Sequence, residues 1–254
     1  MGLFDLLSKE GRQKSALEGA TKRVQDKYAQ SGDRYGAMEK LRDIGTDDAL
    51  YGLCKRWNMN YDKTIDDDQE KQWALDTLVN FGERAVPALR RYLKESERIS
   101  YALSALSRVG SEGDILATLD EVLAKEEPGY TRDPSKKQQL MTWLGEWRGT
   151  STEVARRVTP YLQDFDQDVR FHAIDALAHH LGDGVEDVAR APLLAALLRP
   201  EEESRRIKVR AAEVLAEAGW TVTDRKDEVA KILGDLTMFG MEHDKLVAKK
   251  KGAK

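Results

Sequence analysis

Four histidines, one cysteine, five tryptophans and a run of acids are the residues of this chain that could do chemistry. His172 and His179 stand seven apart and would share a helix face, but two imidazoles fall short of the three or four ligands that zinc takes. Asp66, Asp67, Asp68 and Glu70 suggest calcium. An EF-hand loop, however, alternates its acids and needs a glycine at its sixth position. Here the acids are contiguous and no glycine follows. The run therefore reads as a helix N-terminus, where carboxylates meet the positive end of the macrodipole, and Glu201, Glu202 and Glu203 read the same way. Cys54, between Leu53 and Lys55, reads as a small semi-buried side chain rather than a nucleophile, and one cysteine allows no intramolecular disulfide. No phosphate loop, nucleophile elbow or dinucleotide glycine motif occurs. The expectation is a chain with no catalytic residue, no metal ligand and no cofactor site.

What remains is charge and aromatic area arranged for contact. Arg56, Arg90, Arg91, Arg156 and Arg157, with Lys55 and Lys94, fall outside the apolar stripes of what the periodicity makes the second helices of helix pairs. They are expected to form a basic ridge facing an acidic partner, phosphate groups or nucleic acid, interrupted by Asp120 and Glu121. Two insertions, 58–65 and 127–132, lie between repeats and about 20 Å apart if neighbouring helices pack at 8–10 Å. Insertions of this kind often mark a binding edge, and Tyr61 and Tyr130 are its natural anchors. Trp143 and Trp147 stand four apart and read as packing between repeats.

The elements that would position these residues follow from a recurring glycine. Gly45, Gly82, Gly110, Gly145, Gly182 and Gly219 are separated by 37, 28, 35, 37 and 37 residues. Leu41, Leu78, Leu106, Met141, Ala178 and Leu215 stand four residues before them. A period in the thirties with apolar residues at helical spacing is the signature of stacked helix pairs. Residues 1–30 read as a capping helix region, since a terminal repeat has no neighbour to cover it. The array runs over 33–236, in repeats 33–57, 67–94, 97–125, 133–163, 166–199 and 203–236. Thr46, Ser111 with Asp114, Thr150 with Glu153, and Asp133 with Pro134 supply the helix starts. The segment 237–254 carries Lys249, Lys250, Lys251 and Lys254 and is expected to be a flexible tail.

Two kinds of segment resemble the HEAT-like repeats of bacterial proteins. Gly82-Glu83-Arg84-Ala85-Val86-Pro87-Ala88-Leu89 resembles the turn and second helix of that repeat. Asp168-Val169-Arg170 continuing to Ala173, Ala176 and Leu177, and Val209-Arg210-Ala211-Ala212 followed by Val214 and Leu215, resemble its first helix. The resemblance implies an all-α, right-handed solenoid of about six helix pairs, the superfamily that includes phycobilin lyases. It also implies that Arg170 and Arg210 pair with acids of adjacent repeats. Iron hydroxylases of this type carry paired His-Glu motifs, and no His-Glu dipeptide occurs here. DNA glycosylases of this type use aromatics and an Asp in a basic cleft. One turn after Trp143 comes Trp147, and after Trp73 comes Thr77, with Asp76 off register by one.

The net charge of −4 and pI near 5.7 speak against a dedicated nucleic-acid binder. No stretch approaches the ~20 apolar residues of a membrane span, and the short run at Leu3, Phe4, Leu6 and Leu7 lacks the basic lead of a secretion signal. The reading is a cytoplasmic, non-catalytic HEAT-repeat adaptor that grips another protein, with Arg56, Arg90, Arg91, Arg156, Arg157, Tyr61 and Tyr130 as its contact residues. A nucleic-acid-binding or glycosylase-like protein is the first alternative, and a bilin-type lyase the second.

Overall fold

Residues at three- and four-residue steps give nearly every segment of this chain one apolar stripe, and a stripe must be covered by another helix. The computed structural model describes residues 9–61 and 64–249. Among them are thirteen α-helices, several short 3-10 turns and one two-stranded hairpin. The chain divides into two compact units, Met1–Glu126 and Glu127–Lys254.

In the first unit α1 (Lys9–Val24) packs on α2 (Ser31–Ile44) and α3 (Asp47–Cys54). The helices α4 (Thr64–Asn80), α5 (Val86–Glu95), α6 (Ser100–Val109) and α7 (Glu112–Leu123) follow. The first helices of successive pairs, α2, α4 and α6, lie side by side in one layer, and α3, α5 and α7 form the other. Leu41, Leu53, Leu78, Leu89, Leu93, Leu103 and Leu106 are completely buried between the layers. Thr46 caps α3 by accepting from the N–H of Ala49, and Ser111 and Asp114 exchange both bonds of a capping box at the start of α7.

The second unit repeats the plan with α8 (Ser135–Glu146), α9 (Ser151–Val158), α10 (Gln167–Ala178), α11 (Val185–Leu197), α12 (Arg205–Ala218) and α13 (Lys226–Asp235). Again α8, α10 and α12 neighbour one another, and α11 packs on α9. The expected capping box at Thr150 does not form. The Glu153 carboxylate turns forward to Arg156 and Arg157 instead. Two charged donors one turn ahead hold it more strongly than one amide behind.

The flexible tail expected over 237–254 is corrected over its described part. Strands β1 (Phe239–Glu242) and β2 (Lys245–Ala248) pair antiparallel, with His243 and Asp244 both at positive φ in the connecting turn. That conformation matches the twist of a two-residue hairpin. Phe239 and Leu246 are buried, and β2 packs on α12. The apolar alternation outweighs the lysines that dominate the composition.

Four of the six recurring glycines fall under two causes. At Gly45, Gly82 and Gly219 the backbone is left-handed, with φ near +60°, and turns the chain out of the first helix. At Gly145 the conformation is ordinary, but a Cβ there would lie 2.9 Å from the Cα of Ala176, so glycine lets α8 and α10 touch. No helix among the described residues is long and apolar enough to cross a membrane.

Candidate functional site

The expected basic ridge does not exist as free charge. Helix α3 ends at Cys54, and the chain winds into a 3-10 turn over Lys55–Asn58. The tighter turn rotates Arg56 inward, where it is completely buried. Its Nε donates to Glu70 at 2.7 Å and its Nη2 to Asp67 at 2.5 Å. Arg90 donates to the Thr118 hydroxyl and lies within 4.0 Å of Asp114 and Glu121. Arg91 lies over the ring of Tyr51 and pairs with Asp48 and Glu95. Arg156 and Arg157 share the single carboxylate of Glu153. The stripe argument could not see that Arg56 turns into the core, nor that acids meet these cations, from neighbouring helices at Arg56, Arg90 and Arg91 and from their own helix at Arg156 and Arg157.

The two tyrosine anchors also separate. Tyr61 is half-buried, with its hydroxyl on Glu70 and its ring under the guanidinium of Arg34 at 4.1 Å. It closes an ionic cluster and lines an open cavity with Lys27, Tyr28 and Arg34. Tyr130 is 76 % exposed, edge-on to the also exposed Phe165 at 5.3 Å. The two tyrosines belong to different units.

The centre of that cluster is Glu70, buried and accepting five hydrogen bonds, from Ser31, Tyr61, two nitrogens of Arg34, and Arg56. Burial pushes its carboxyl up. The bonds from Arg34, Ser31 and Arg56 outweigh that and hold it below the usual glutamate range. Asp67, read from sequence as a helix-start acid, extends the cluster to Lys71. All these groups satisfy one another, so the cluster reads as structure. The Cys54 thiol is buried and pushed well up by desolvation, as an inert cysteine would be.

An open site lies further along the same two helices. Trp73, Asp76, Thr77 and Asn80 recur at three- and four-residue steps and so share one face of α4. That face and the C-terminal end of α2 enclose a cleft of about 510 Å³ lined by Arg42, Trp73, Asp76, Thr77, Asn80, Phe81 and Arg84. Its aromatic floor is held from behind, where Tyr35 meets Trp73 edge-on at 6.3 Å. Arg42 reaches over Trp73 at 5.7 Å and pairs with its own neighbour Asp43. Gly82 turns the chain so that Arg84 lies over Phe81 at 5.3 Å and donates to the Gly45 carbonyl at 3.0 Å. Arg84 meets no acid among the described residues. Asp76 accepts from Gln72 and lies 3.9 Å from Arg108.

One group in the cleft stands out. Thr77 is 7 % exposed, and its hydroxyl makes no hydrogen bond among the described residues. Among the described residues the buried side-chain atoms without a partner lie elsewhere, at Thr21 and Ser96, so the Thr77 hydroxyl is open to the cleft and available to a ligand as donor or acceptor. From sequence, Trp73 enters only through the glycosylase comparison and Arg84 only as part of a repeat turn, and Arg42 has no role. The missing signal was that α2 and α4 are neighbours, which brings together residues about forty apart in sequence.

No cluster of three or more metal-ligating side chains occurs among the described residues. Trp143 and Trp147 stack at 5.5 Å at the C-terminal end of α8, and His180 is buried with its Nε2 on the Leu144 carbonyl. Arg170 pairs with Glu202 and Arg210 with Asp175, each in an adjacent helix pair.

No protein family and no curated protein sequence matches the chain. Among solved structures it is similar to human deoxyhypusine hydroxylase in complex with glycerol, at 15% identity and a TM-score of 0.31, over 88% of this chain and 94% of that one. The expectation of a non-catalytic adaptor that is not an enzyme is corrected: the ridge on which the adaptor rested is neutralised, and the structure just named is that of an enzyme. At this level of likeness no activity, substrate or metal passes to this chain.

Proposed function

We propose that the first unit is a binding module for a small anionic ligand with a flat body, and that the cleft between α2 and α4 is its site. The observation that carries this is the pair of guanidinium groups, Arg42 and Arg84, beside an indole and a phenyl ring in a cleft of about 510 Å³. Sites for small ligands are typically clefts of this size, apolar in the main, with a few convergent polar groups. Arginine serves both demands, since its planar fork matches carboxylate or phosphate and its face lies on rings. The helix pairs are taken as HEAT-like repeats, right-handed in their succession within each unit, on the strength of the Gly82–Leu89, Asp168–Leu177 and Val209–Leu215 segments.

Titration calorimetry with benzoate, phenyl phosphate and 5′-mononucleotides, with benzylamine as the cationic control, tests the proposal. Saturable binding of an anion, with quenching of tryptophan emission that disappears in Trp73→Leu, is expected. Arg42→Ala with Arg84→Ala should weaken binding at least tenfold without changing helicity. Benzylamine binding as tightly as the anions, or binding that ignores both arginines, would overturn it.

A further inference from the structure

The cleft residues follow one another along α4 in a fixed order, and that order narrows the ligand. Trp73, with Arg42 beside it, stands at one end. Asp76 and Thr77 come one turn on, and Asn80 comes next. Phe81 and Arg84 close the far end. From Trp73 to Asn80 the helix rises about 10 Å. Each end of this line carries a ring and a guanidinium, with hydrogen-bonding groups between them, but Arg42 is paired with Asp43 while Arg84 meets no acid among the described residues.

The middle of the line is what a plain aromatic acid would leave unused. Asp76 is an exposed carboxylate that accepts only from donors, and a ligand carrying nothing but an anion would meet repulsion there. The Thr77 hydroxyl is open to the cleft and bonded to no protein group among the described residues, so it can pair with a polar ligand atom. Asn80 offers both a donor and an acceptor. A ligand that suits all three carries hydroxyl groups between its ring and its anion.

Resting on the proposed site, we infer that the ligand class is a mononucleotide lying along α4. Its phosphate sits at Arg84, its sugar hydroxyls at Asp76, Thr77 and Asn80, and its base on the indole of Trp73. Arg84 suits the phosphate because its guanidinium is fixed by the Gly45 carbonyl and meets no acid among the described residues. Trp73 suits the base because any base has a face to stack, which also predicts weak discrimination among the four bases. Its ring is already braced by Tyr35, and the Arg42 side chain that lies over it at 5.7 Å makes room for the base or stacks on it in turn.

The experiment compares, by calorimetry on the full chain, a 5′-mononucleotide, its nucleoside, ribose 5-phosphate, phenyl phosphate and a single-stranded ten-nucleotide RNA. The mononucleotide should bind most tightly. Removing the phosphate or substituting Arg84→Ala should each weaken it by about 10- to 100-fold, the range expected for a hydrogen bond to a charged group. The nucleoside should be indifferent to Arg84→Ala, and Thr77→Val should weaken the mononucleotide while leaving phenyl phosphate unchanged.

Phenyl phosphate binding as tightly as the mononucleotide would overturn the inference and leave the anionic site standing. If no anion of the set binds, the proposed site itself fails. RNA binding far more tightly per site than the mononucleotide, with a steep salt dependence, would replace the free nucleotide with a strand. Unchanged unfolding midpoints of Arg84→Ala and Thr77→Val keep loss of binding distinct from loss of fold.

Discussion

The two units use the same ionic stitch and finish it differently. Arg34 and Arg170 each occupy the fourth position of a first helix, α2 and α10. Each sends Nη1 to two carbonyls of the chain just before its own helix, Asp26 and Ala29 in one case, Asp164 and Phe165 in the other. Each sends Nε to a glutamate of the next helix pair, Glu70 or Glu202. In the second unit the acid stands before its helix, holds one arginine and also accepts from the N–H of Ser204. In the first unit the acid is inside α4, where no backbone donor is free, and side chains must supply all five bonds. A helix-interior carboxylate thus recruits a second arginine, Arg56, which is why that residue is missing from the surface.

This contrast is broken most directly at the two glutamates. Glu70→Gln leaves Arg34 and Arg56 buried beside a neutral amide and should cost about 3–5 kcal/mol in urea unfolding, as for other broken buried pairs. Glu202→Gln leaves Arg170 its two carbonyls and should cost about 1–3 kcal/mol. Equal costs would show that the number of donors around the acid does not set its importance.

The pH dependence of stability sharpens the same point. The Glu70 carboxyl lies below its ordinary value of 4.5 in the folded state. Its contribution is therefore complete above that value and is lost as pH falls through the folded one. Wild type should lose stability across that acid window, and Glu70→Gln should show a shallower slope there. Parallel slopes in the two proteins would mean that other carboxylates carry the acid sensitivity.

A smaller difference separates the glycines. Gly145→Ala drives a methyl into the backbone of α10 in the second unit and should cost about 1–3 kcal/mol by overpacking. Gly82→Ala in the first unit meets no atom within 4 Å but keeps a left-handed backbone, at about 1–2 kcal/mol. Adding Ala176→Gly should recover part of the loss at Gly145 and none at Gly82. Equal rescue at both positions would show that one cause underlies them.

The architecture was legible because periodicity is a local property of sequence. The glycine interval, the Ser111–Asp114 box and the cross-repeat pairing of Arg170 and Arg210 could all be read from spacing or family pattern. The site was not legible, because it depends on which helices become neighbours. Arg42 and Arg84 gain meaning only once α4 lies against α2. Arg56 loses its surface role through one tight turn after Cys54, and Tyr61 through a glutamate nine residues on. In the hairpin the signal was present in Phe239 and Leu246, but it was masked by the lysines around it.

The former ridge gives the smallest expected effect and the clearest contrast with the interior of the same unit. Arg91 is half exposed, as are Asp48 and Glu95 beside it, and water competes for all three charges. Exposed pairs of this kind contribute about 0.2–1 kcal/mol. Arg91 also covers the ring of Tyr51, whose hydroxyl is bonded to Glu95 and pushed up to about 12, first by desolvation and then by that carboxylate. Arg91→Gln removes a cation that favours the ionised phenol, so Tyr51 should ionise at still higher pH while the unfolding free energy barely moves. Ultraviolet titration of the phenol checks the first and urea unfolding the second. A stability loss as large as that of Glu70→Gln would mean that the surface network holds the unit together as firmly as its buried cluster does.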